Sequence, residues 1–307
     1  MKKKIIGIVG PTASGKTALS LPLARQLSGH ILCMDSMQVY THMDIGTAKP
    51  TKEEQATVPH HLLDIVSPLD NFTVSQYAAW AKPLMDILPC PILVGGTGLY
   101  LQAVSQSMAF GQVGSDDAIR EKYHALAEAE GNRAVHRILE QIDPQSAARL
   151  HENDLRRVIR AIEVYELTGT PLSQTRQEEN SEFSVLPLAI RMERETLYQR
   201  IEKRVDTMLD MGLVEEVQRL LAEGVSPEAQ SMQGIGYKEL VPVLGGLVPL
   251  GKARDQIILN TKHYAKRQET WFKGESATKW LEGGQLLPSA IQAIDHFLTA
   301  DENQSKE

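Results

Sequence analysis

The octapeptide Gly10–Thr17, GPTASGKT, follows directly on the apolar run Ile5–Val9. Its spacing, G-x-x-x-x-G-K-[ST], demands a buried strand, a tight anion-binding turn and a helix opening near the lysine. The glycines let backbone amides face a ligand, Lys16 supplies a point charge, and Thr17 offers a hydroxyl to Mg²⁺. A diphosphate or triphosphate is therefore expected against Gly10, Pro11, Thr12, Ala13, Ser14, Gly15, Lys16 and Thr17. The motif alone leaves open whether a phosphoryl group is transferred.

Strand and helix patterns alternate through the first hundred residues. Lys4–Val9, Ile31–Met34 and Ile92–Val94 have the short apolar character of buried strands, with helices expected over Lys16–Leu27 and Val74–Leu88. The second of these should be interrupted or end near Pro83. Apolar strands separated by helices specify a parallel sheet covered on both faces. In such sheets ligands gather at the carboxyl ends of the strands. Gly10–Thr17, Asp35–Gln38 and Gly95–Tyr100 each follow a strand, so three loops should meet at one edge.

Beyond Ser105 the pattern changes. Ser105–Asp117 is a polar crossing, and Asp117–Gly131, Arg133–Ile142 and Asp154–Gly169 have helical character with no strand between them. In the last, Leu155, Val158, Ile159, Ile162 and Tyr165 keep helical spacing. Asn153 or Asp154 offers an N-cap, and Gly169 and Pro171 supply the stop. After polar Ser173–Ser184, Val185–Ile190 resembles a strand returning to the sheet. One long helix over Glu195–Glu223, another over Ala253–Phe272 and a last strand at Thr278–Leu281 follow. The expected fold is α/β: a P-loop NTPase-like parallel sheet with helices on both faces and an inserted all-helical domain. Its parts are core over 1–110, insertion over 111–184, core again over 185–300, and a frayed tail over 301–307.

The chain has 307 residues, 42% hydrophobic and 23% charged, enough apolar content for a large core and too much for a disordered protein. No apolar run approaches the roughly 18 residues that span a bilayer. A cytoplasmic monomer is expected, and the two cysteines, Cys33 and Cys90, suit a reducing compartment as buried small hydrophobes. A net charge of −7 argues against a nucleic-acid partner on average, yet Lys252–Lys273 carries six Lys/Arg against two acids and Arg149–Arg160 four against two.

A phosphoryl-transfer enzyme of this class usually ends its third strand in a magnesium-binding Asp. Here that strand runs into Gly95-Gly96-Thr97-Gly98, and the acid at a strand end is Asp35. A magnesium ligand, a general base and a plain turn cap all fit Asp35. Arg200 and Arg204 share one helix face, where they either complete a diphosphate clamp or pair with Glu202. The adjacent His60 and His61 point to different sides and suit packing or hydrogen bonding better than a metal. Trp80, Trp271 and Trp280 are expected to pack.

Eight blocks in order, from GPTASGKT through DSMQVY (35–40), MDIGTAKP (43–50), PHHLLDI (59–65), GGTGLY (95–100), HENDLRRVIRAIEVYELTG (151–169), MQGIGYKEL (232–240) and TKHYAKRQETWF (261–272), resemble the tRNA dimethylallyltransferase family. The resemblance implies transfer of a dimethylallyl group from dimethylallyl diphosphate to N6 of the adenosine 3′ of the tRNA anticodon, with Mg²⁺ as cofactor. It implies Asp35 as general base and Thr97 as the residue orienting the amine or the donor. Lys16, Thr17 with Mg²⁺, Arg200 and Arg204 would hold the leaving diphosphate. Transfer RNA would meet Asp35, Ser36, Met37, Gln38, Thr97, Arg120, Arg156, Arg157, Val158, Ile159 and Arg160. Lys262, Lys266 and Lys273 would follow phosphates or form a solvated stripe. A small-molecule or nucleotide kinase is the alternative that shares the phosphate loop.

Overall fold

The computed structural model describes residues 2–105, 114–175 and 182–299. They form two compact units: 1–105 together with 181–307, and 106–180. The expected tail over 301–307, and parts of both polar crossings, lie outside the described residues.

The first unit begins with β1 (Lys3–Val9), α1 (Lys16–Gln26), β2 (His30–Cys33), α2 (Lys52–Thr57), β3 (His60–His61), α3 (Val74–Ile87), β4 (Pro91–Val94) and α4 (Gly98–Ser105). The second unit holds α5 (Asp117–Glu130), α6 (Asn132–Ile142), α7 (Pro144–Arg149) and α8 (Leu155–Thr168). The chain then returns with β5 (Phe183–Ile190), α9 (Arg194–Asp210), α10 (Leu213–Ala222), α11 (Tyr237–Leu244), α12 (Leu250–Gly274), β6 (Lys279–Leu281) and α13 (Leu286–Thr299).

All six strands are parallel, in the order β3-β2-β4-β1-β5-β6. Alternate residues of each strand enter opposite layers, as the two-residue period requires. Ile6, Ile8, Ile31, Ile92 and Leu188 pack with Leu19 and Leu23 of α1 and Ala290 and Ile294 of α13. Ile5, Val9, Leu32, Leu93 and Ala189 face the other layer, with Tyr77 and Met85 of α3, Tyr100 of α4 and Phe272 of α12. Burial on both faces explains why β1 is an almost unbroken apolar run. Helices α2 and α3 open with reciprocal capping boxes, Thr51 with Glu54 and Thr73 with Gln76.

Two expected helix boundaries differ. Helix α3 continues through Pro83 to Ile87. Pro83 lies away from the inner face, where the carbonyl that loses its partner turns to water, while Tyr77, Ala81 and Met85 anchor the buried side. The expected helix over 195–223 is two helices broken at Met211-Gly212. Gly212 adopts φ +98°, a left-handed conformation that a glycine takes without Cβ strain.

The second unit has its own core of Tyr123, Val135, Leu139, Val158, Ile159 and Ile162. Helix α8 starts at Leu155 and stops at left-handed Gly169. The Asp154 carboxylate makes no cap hydrogen bond there and pairs with Arg157 instead.

Candidate active site

The parallel sheet delivers the loops after β1, β2 and β4 to one edge. In the first loop Gly10, Ala13 and Gly15 all take positive φ, turning successive amides inward as an anion-binding nest. Lys16 folds back so that its ammonium donates to the Gly10 carbonyl at 3.0 Å and the Pro11 carbonyl at 2.8 Å. Burial pushes its pKa down to about 8; Asp35 opposes that shift and Arg204 adds to it.

A cleft of about 280 Å³ is lined by Thr12, Lys16, Thr17, Cys33, Asp35, Gln38, Gly95 and Arg204, among others. A second cavity of about 320 Å³ is lined by Thr12, Asp35, Ser36, Met37, Met208, Ile235, Tyr264 and Arg267, among others. Thr12, Asp35, Thr47, Ala48 and Arg204 border both. Asp35 thus stands where an anion-gripping cavity adjoins a more apolar one. Its Oδ1 accepts from the amides of Met37 (2.9 Å) and Gln38 (3.4 Å), so it caps the turn. That leaves Oδ2 without a hydrogen-bond partner among the described residues. Capping therefore does not compete with chemistry: one oxygen fixes the orientation and the other is available.

The third loop approaches as closely as backbone can. A Cβ on Gly95 would sit 1.9 Å from the Met34 carbonyl oxygen, so only glycine fits. Thr97 Oγ1 accepts from the Ser36 amide at 3.2 Å, fastening the Thr97 and Asp35 loops together. Gln38 donates to the carbonyls of Thr47 and Ala48 and accepts from the Cys33 thiol. Burial pushes that thiol up, and it serves as packing.

Arg204 projects from α9 into both cavities, and Arg200, one turn earlier, brings its guanidinium to Gly15, 3.7 Å from where a Cβ would stand. Glu202 is taken by Lys262 at 2.6 Å, so among the described residues neither arginine has a carboxylate partner. Burial, with Arg200 beside it, lowers the Arg204 pKa. Three cations, against Asp35 and a Glu54 that caps its own helix through the Thr51 amide, make a site that favours a polyanion. Thr17 and Asp35 are hard-oxygen donors in the cleft, and no group of three or more His, Cys, Asp or Glu side chains that could hold a metal gathers among the described residues. That set fits Mg²⁺, which takes one or two protein oxygens and completes its shell with phosphate oxygens and water.

In the second unit the arginines separate by role. Glu163 is fully buried and accepts from Arg120 (2.8 Å), Arg160 (2.5 Å) and the Asp116 amide (2.9 Å). Burial alone would push its carboxyl up; the bonds from Arg160, Asp116 and Arg120 outweigh it and hold the pKa below the ordinary value. Arg120 and Arg160 thus support the fold. Val158 and Ile159, expected among the RNA contacts, are 0% and 2% exposed and belong to the core, because they carry the apolar stripe of α8. Arg156 and Arg157 are exposed, Arg157 beside Asp154. On α12, Lys262 pairs with Glu202 and Lys273 with Glu269. His60 Nδ1 donates to the Val58 carbonyl, and His61 meets His30 at 3.1 Å, both hydrogen-bonding roles. Trp271 packs against Gly98.

Sequence reasoning missed Tyr264, Gln268 and Glu216. Gln268 is 5% exposed and links the first and third loops. Its signal was a polar residue on the inward stripe Ile257–Tyr264–Ala265–Phe272 of α12. Glu216, 2% exposed, accepts from the amides of Asp44, Ile45 and Gly46 and from the Tyr237 hydroxyl, holding the loop that borders both cavities.

Proteins of known name and structure resemble this chain along its length. A model of isopentenyl transferases matches residues 3–71. The chain is 45% identical to the tRNA dimethylallyltransferase of Pelotomaculum thermopropionicum, over 92% of this chain and 91% of that protein. It is 44% identical to that of Halalkalibacterium halodurans across the full length of both. Among solved structures it resembles the tRNA isopentenylpyrophosphate transferase from Bacillus halodurans, with TM-score 0.73 and 40% identity over 100% of this chain and 99% of that one. It also resembles a eukaryotic dimethylallyltransferase acting on tRNA, with TM-score 0.83 and 29% identity over 97% of this chain and 80% of that one. With its phosphate loop, its fastened Asp35 and Thr97 loops and a match of the IPP transferase model to residues 38–275, the chain belongs to the IPP transferase family.

Proposed function

We propose that this chain transfers the dimethylallyl group of dimethylallyl diphosphate to N6 of the adenosine immediately 3′ of the anticodon, position 37 of tRNA, and releases diphosphate. The observation that carries this reading is the position of Asp35 on the border of two cavities, one cationic and one more apolar. The relatives named tRNA dimethylallyltransferase support prenyl transfer to tRNA as the class of reaction.

The diphosphate lies against the amides of Ala13–Thr17, with Lys16, Arg200 and Arg204 around it. When bound, Mg²⁺ would be held by the Thr17 hydroxyl and diphosphate oxygens, and would neutralise charge on the leaving group. The adenine amine is a poor nucleophile because its lone pair is delocalised into the ring. Asp35 Oδ2 accepts its proton as the N6–C1 bond forms and the C1–oxygen bond to diphosphate breaks. Thr97 Oγ1, already fixed by the Ser36 amide, orients the amine or donor. The cations stabilise charge that grows only as the diphosphate departs, so they act on the transition state more than on bound substrate. Arg156 and Arg157 contact the RNA backbone.

The test is incubation of the protein with labelled dimethylallyl diphosphate and unmodified tRNA. Label in the RNA at that adenosine is expected. ATP turnover dependent on a small acceptor, with no label in RNA beside an active control, would overturn the reading.

A further inference from the structure

Gln268 borders the cationic cleft and connects both ends of the candidate reaction path. Its Oε1 accepts from the Thr12 amide at 2.8 Å and its Nε2 donates to the Gly96 carbonyl at 3.0 Å. Thr12 belongs to the phosphate loop and borders both cavities; Gly96 precedes Thr97. A backbone amide only donates and a carbonyl only accepts, so the Gln268 amide has one orientation that satisfies both. One turn earlier on α12, Tyr264 lines the second cavity together with Thr12, Asp35 and Ser36, where burial and the nearby Asp35 charge raise its pKa. The Thr97 hydroxyl in turn holds the Ser36 amide beside Asp35. A continuous polar chain thus runs from the phosphate loop through Gln268 to Gly96, on to the adjoining Thr97 and the Asp35 loop, with Tyr264 packed beside it in the second cavity.

The surroundings make this chain stiff. Gln268 is 5% exposed, α12 is anchored by buried Ala265 and Phe272, and a Cβ on Gly96 would lie 1.9 Å from Gln268 Nε2. The amide lies directly against the loop it holds. Burying a carboxamide in so apolar a layer costs stability unless both its ends are bonded. Here both are, to two loops that share no other direct link through a side chain among the described residues.

We propose that Gln268 and Tyr264 are positioning residues that fix the distance between the leaving diphosphate and the Asp35–Thr97 pair. The inference rests on the functional reading above. In-line displacement at carbon is sensitive to this spacing, because donor carbon and amine must meet within a near-attack distance of about 3–3.5 Å. Without the strap, each half-site still binds its own ligand but their separation varies.

The test uses the full chain with Gln268→Glu and Tyr264→Phe. Dimethylallyl transfer to unmodified tRNA gives kcat, and inorganic diphosphate and unmodified tRNA serve as separate binding probes. For Gln268→Glu at pH 8, kcat should fall about a hundredfold, as a misplacement of ~1 Å implies, with tRNA binding within about twofold of wild type, the thermal midpoint unchanged, and diphosphate binding weakened only while the glutamate is ionised. The ionised glutamate repels the Gly96 carbonyl; its protonated form restores donor and acceptor together. The ratio of variant to wild-type kcat should therefore rise as pH falls from 8 to 6. Tyr264→Phe, which removes only a hydroxyl, should lower kcat about tenfold with no such pH signature. Unchanged kcat in both variants, with wild type active, would overturn the strap and leave the functional reading standing. Joint loss of kcat, diphosphate binding and thermal midpoint would replace positioning with a purely structural role. No transfer by wild type would overturn the functional reading, and the strap with it.

Discussion

Asp35 is held by one oxygen and offers the other, which allows its two roles to be separated by substitution. Asp35→Asn keeps an Oδ1 acceptor for the Met37 and Gln38 amides and removes the base. Transfer should drop by about 10²–10⁴-fold while tRNA affinity, measured by filter binding, stays within a few-fold. Equal loss of both would remove the base role. Lys16 adds a pH dependence. With its pKa pushed down to about 8, the ammonium discharges as pH rises from 7 to 9. Titration calorimetry with inorganic diphosphate should show affinity weakening above pH 8, by up to about tenfold per pH unit, and this component should be absent in Lys16→Met. Stability takes the opposite sign. The unfolded chain keeps this proton up to the ordinary value of 10.5, so raising pH from about 8 towards 10.5 favours the folded state. At this scale the phosphate loop was legible from its spacing alone; Asp35, Arg200 and Arg204 were visible with alternatives open, and Thr97 entered through the family resemblance. Tyr264, Gln268 and Glu216 were not legible. Their partners are groups far away in sequence, and spacing carries no record of those.

Among the elements, α8 shows how a stripe of arginines divides between structure and surface. Arg160 faces Glu163 and Arg120 reaches it from α5, whereas Arg156 and Arg157 stay outside. Glu163→Gln should destabilise the unit by about 1–3 kcal/mol at neutral pH, the lower part of the range for buried pairs because Arg120 is 40% exposed. Its folded pKa lies below the ordinary 4.5, so the contribution is complete above that value and fades as pH falls through the folded pKa. Circular dichroism melts between pH 5 and pH 3 should show a steeper loss in wild type than in Glu163→Gln. The amphipathic pattern of α8 was readable from Leu155, Val158, Ile159 and Ile162. The family resemblance set Val158 and Ile159 among the RNA contacts, and the pattern itself already argued for the core that the structure gives them. Helix ends were the weaker part. Pro83 is tolerated because it faces outward, and Gly212 breaks a run whose apolar period continues across it. Periodicity reports which face is buried; it is nearly silent on where a turn resets the axis.

Across the whole molecule, a net charge of −7 conceals the cations that the proposed RNA contacts need. Arg156 and Arg157 together should account for about two phosphate contacts. The double variant Arg156→Ala, Arg157→Ala should weaken tRNA binding at low salt. It should also flatten the slope of log K against log salt by roughly one unit for each phosphate no longer neutralised. An unchanged slope would place the RNA elsewhere. The fold class itself was legible from alternating strands and helices, because a buried parallel strand cannot be written in polar residues. The order of the strands was not, since nothing local marks β5 as the neighbour of β1.

That neighbour relation governs the order in which the molecule can be made. Lys3 pairs with Phe183, so the second edge of β1 is closed by a strand synthesised long after it. At about 5–20 residues per second, on the order of ten seconds or more pass on the ribosome before β5 emerges. For that interval one of the most apolar strands of the chain waits with an open edge, while the α5–α8 unit, made of neighbouring helices alone, completes itself first. A chain stalled just after the insertion would therefore carry a finished helical unit and an unfinished sheet, the form most exposed to aggregation.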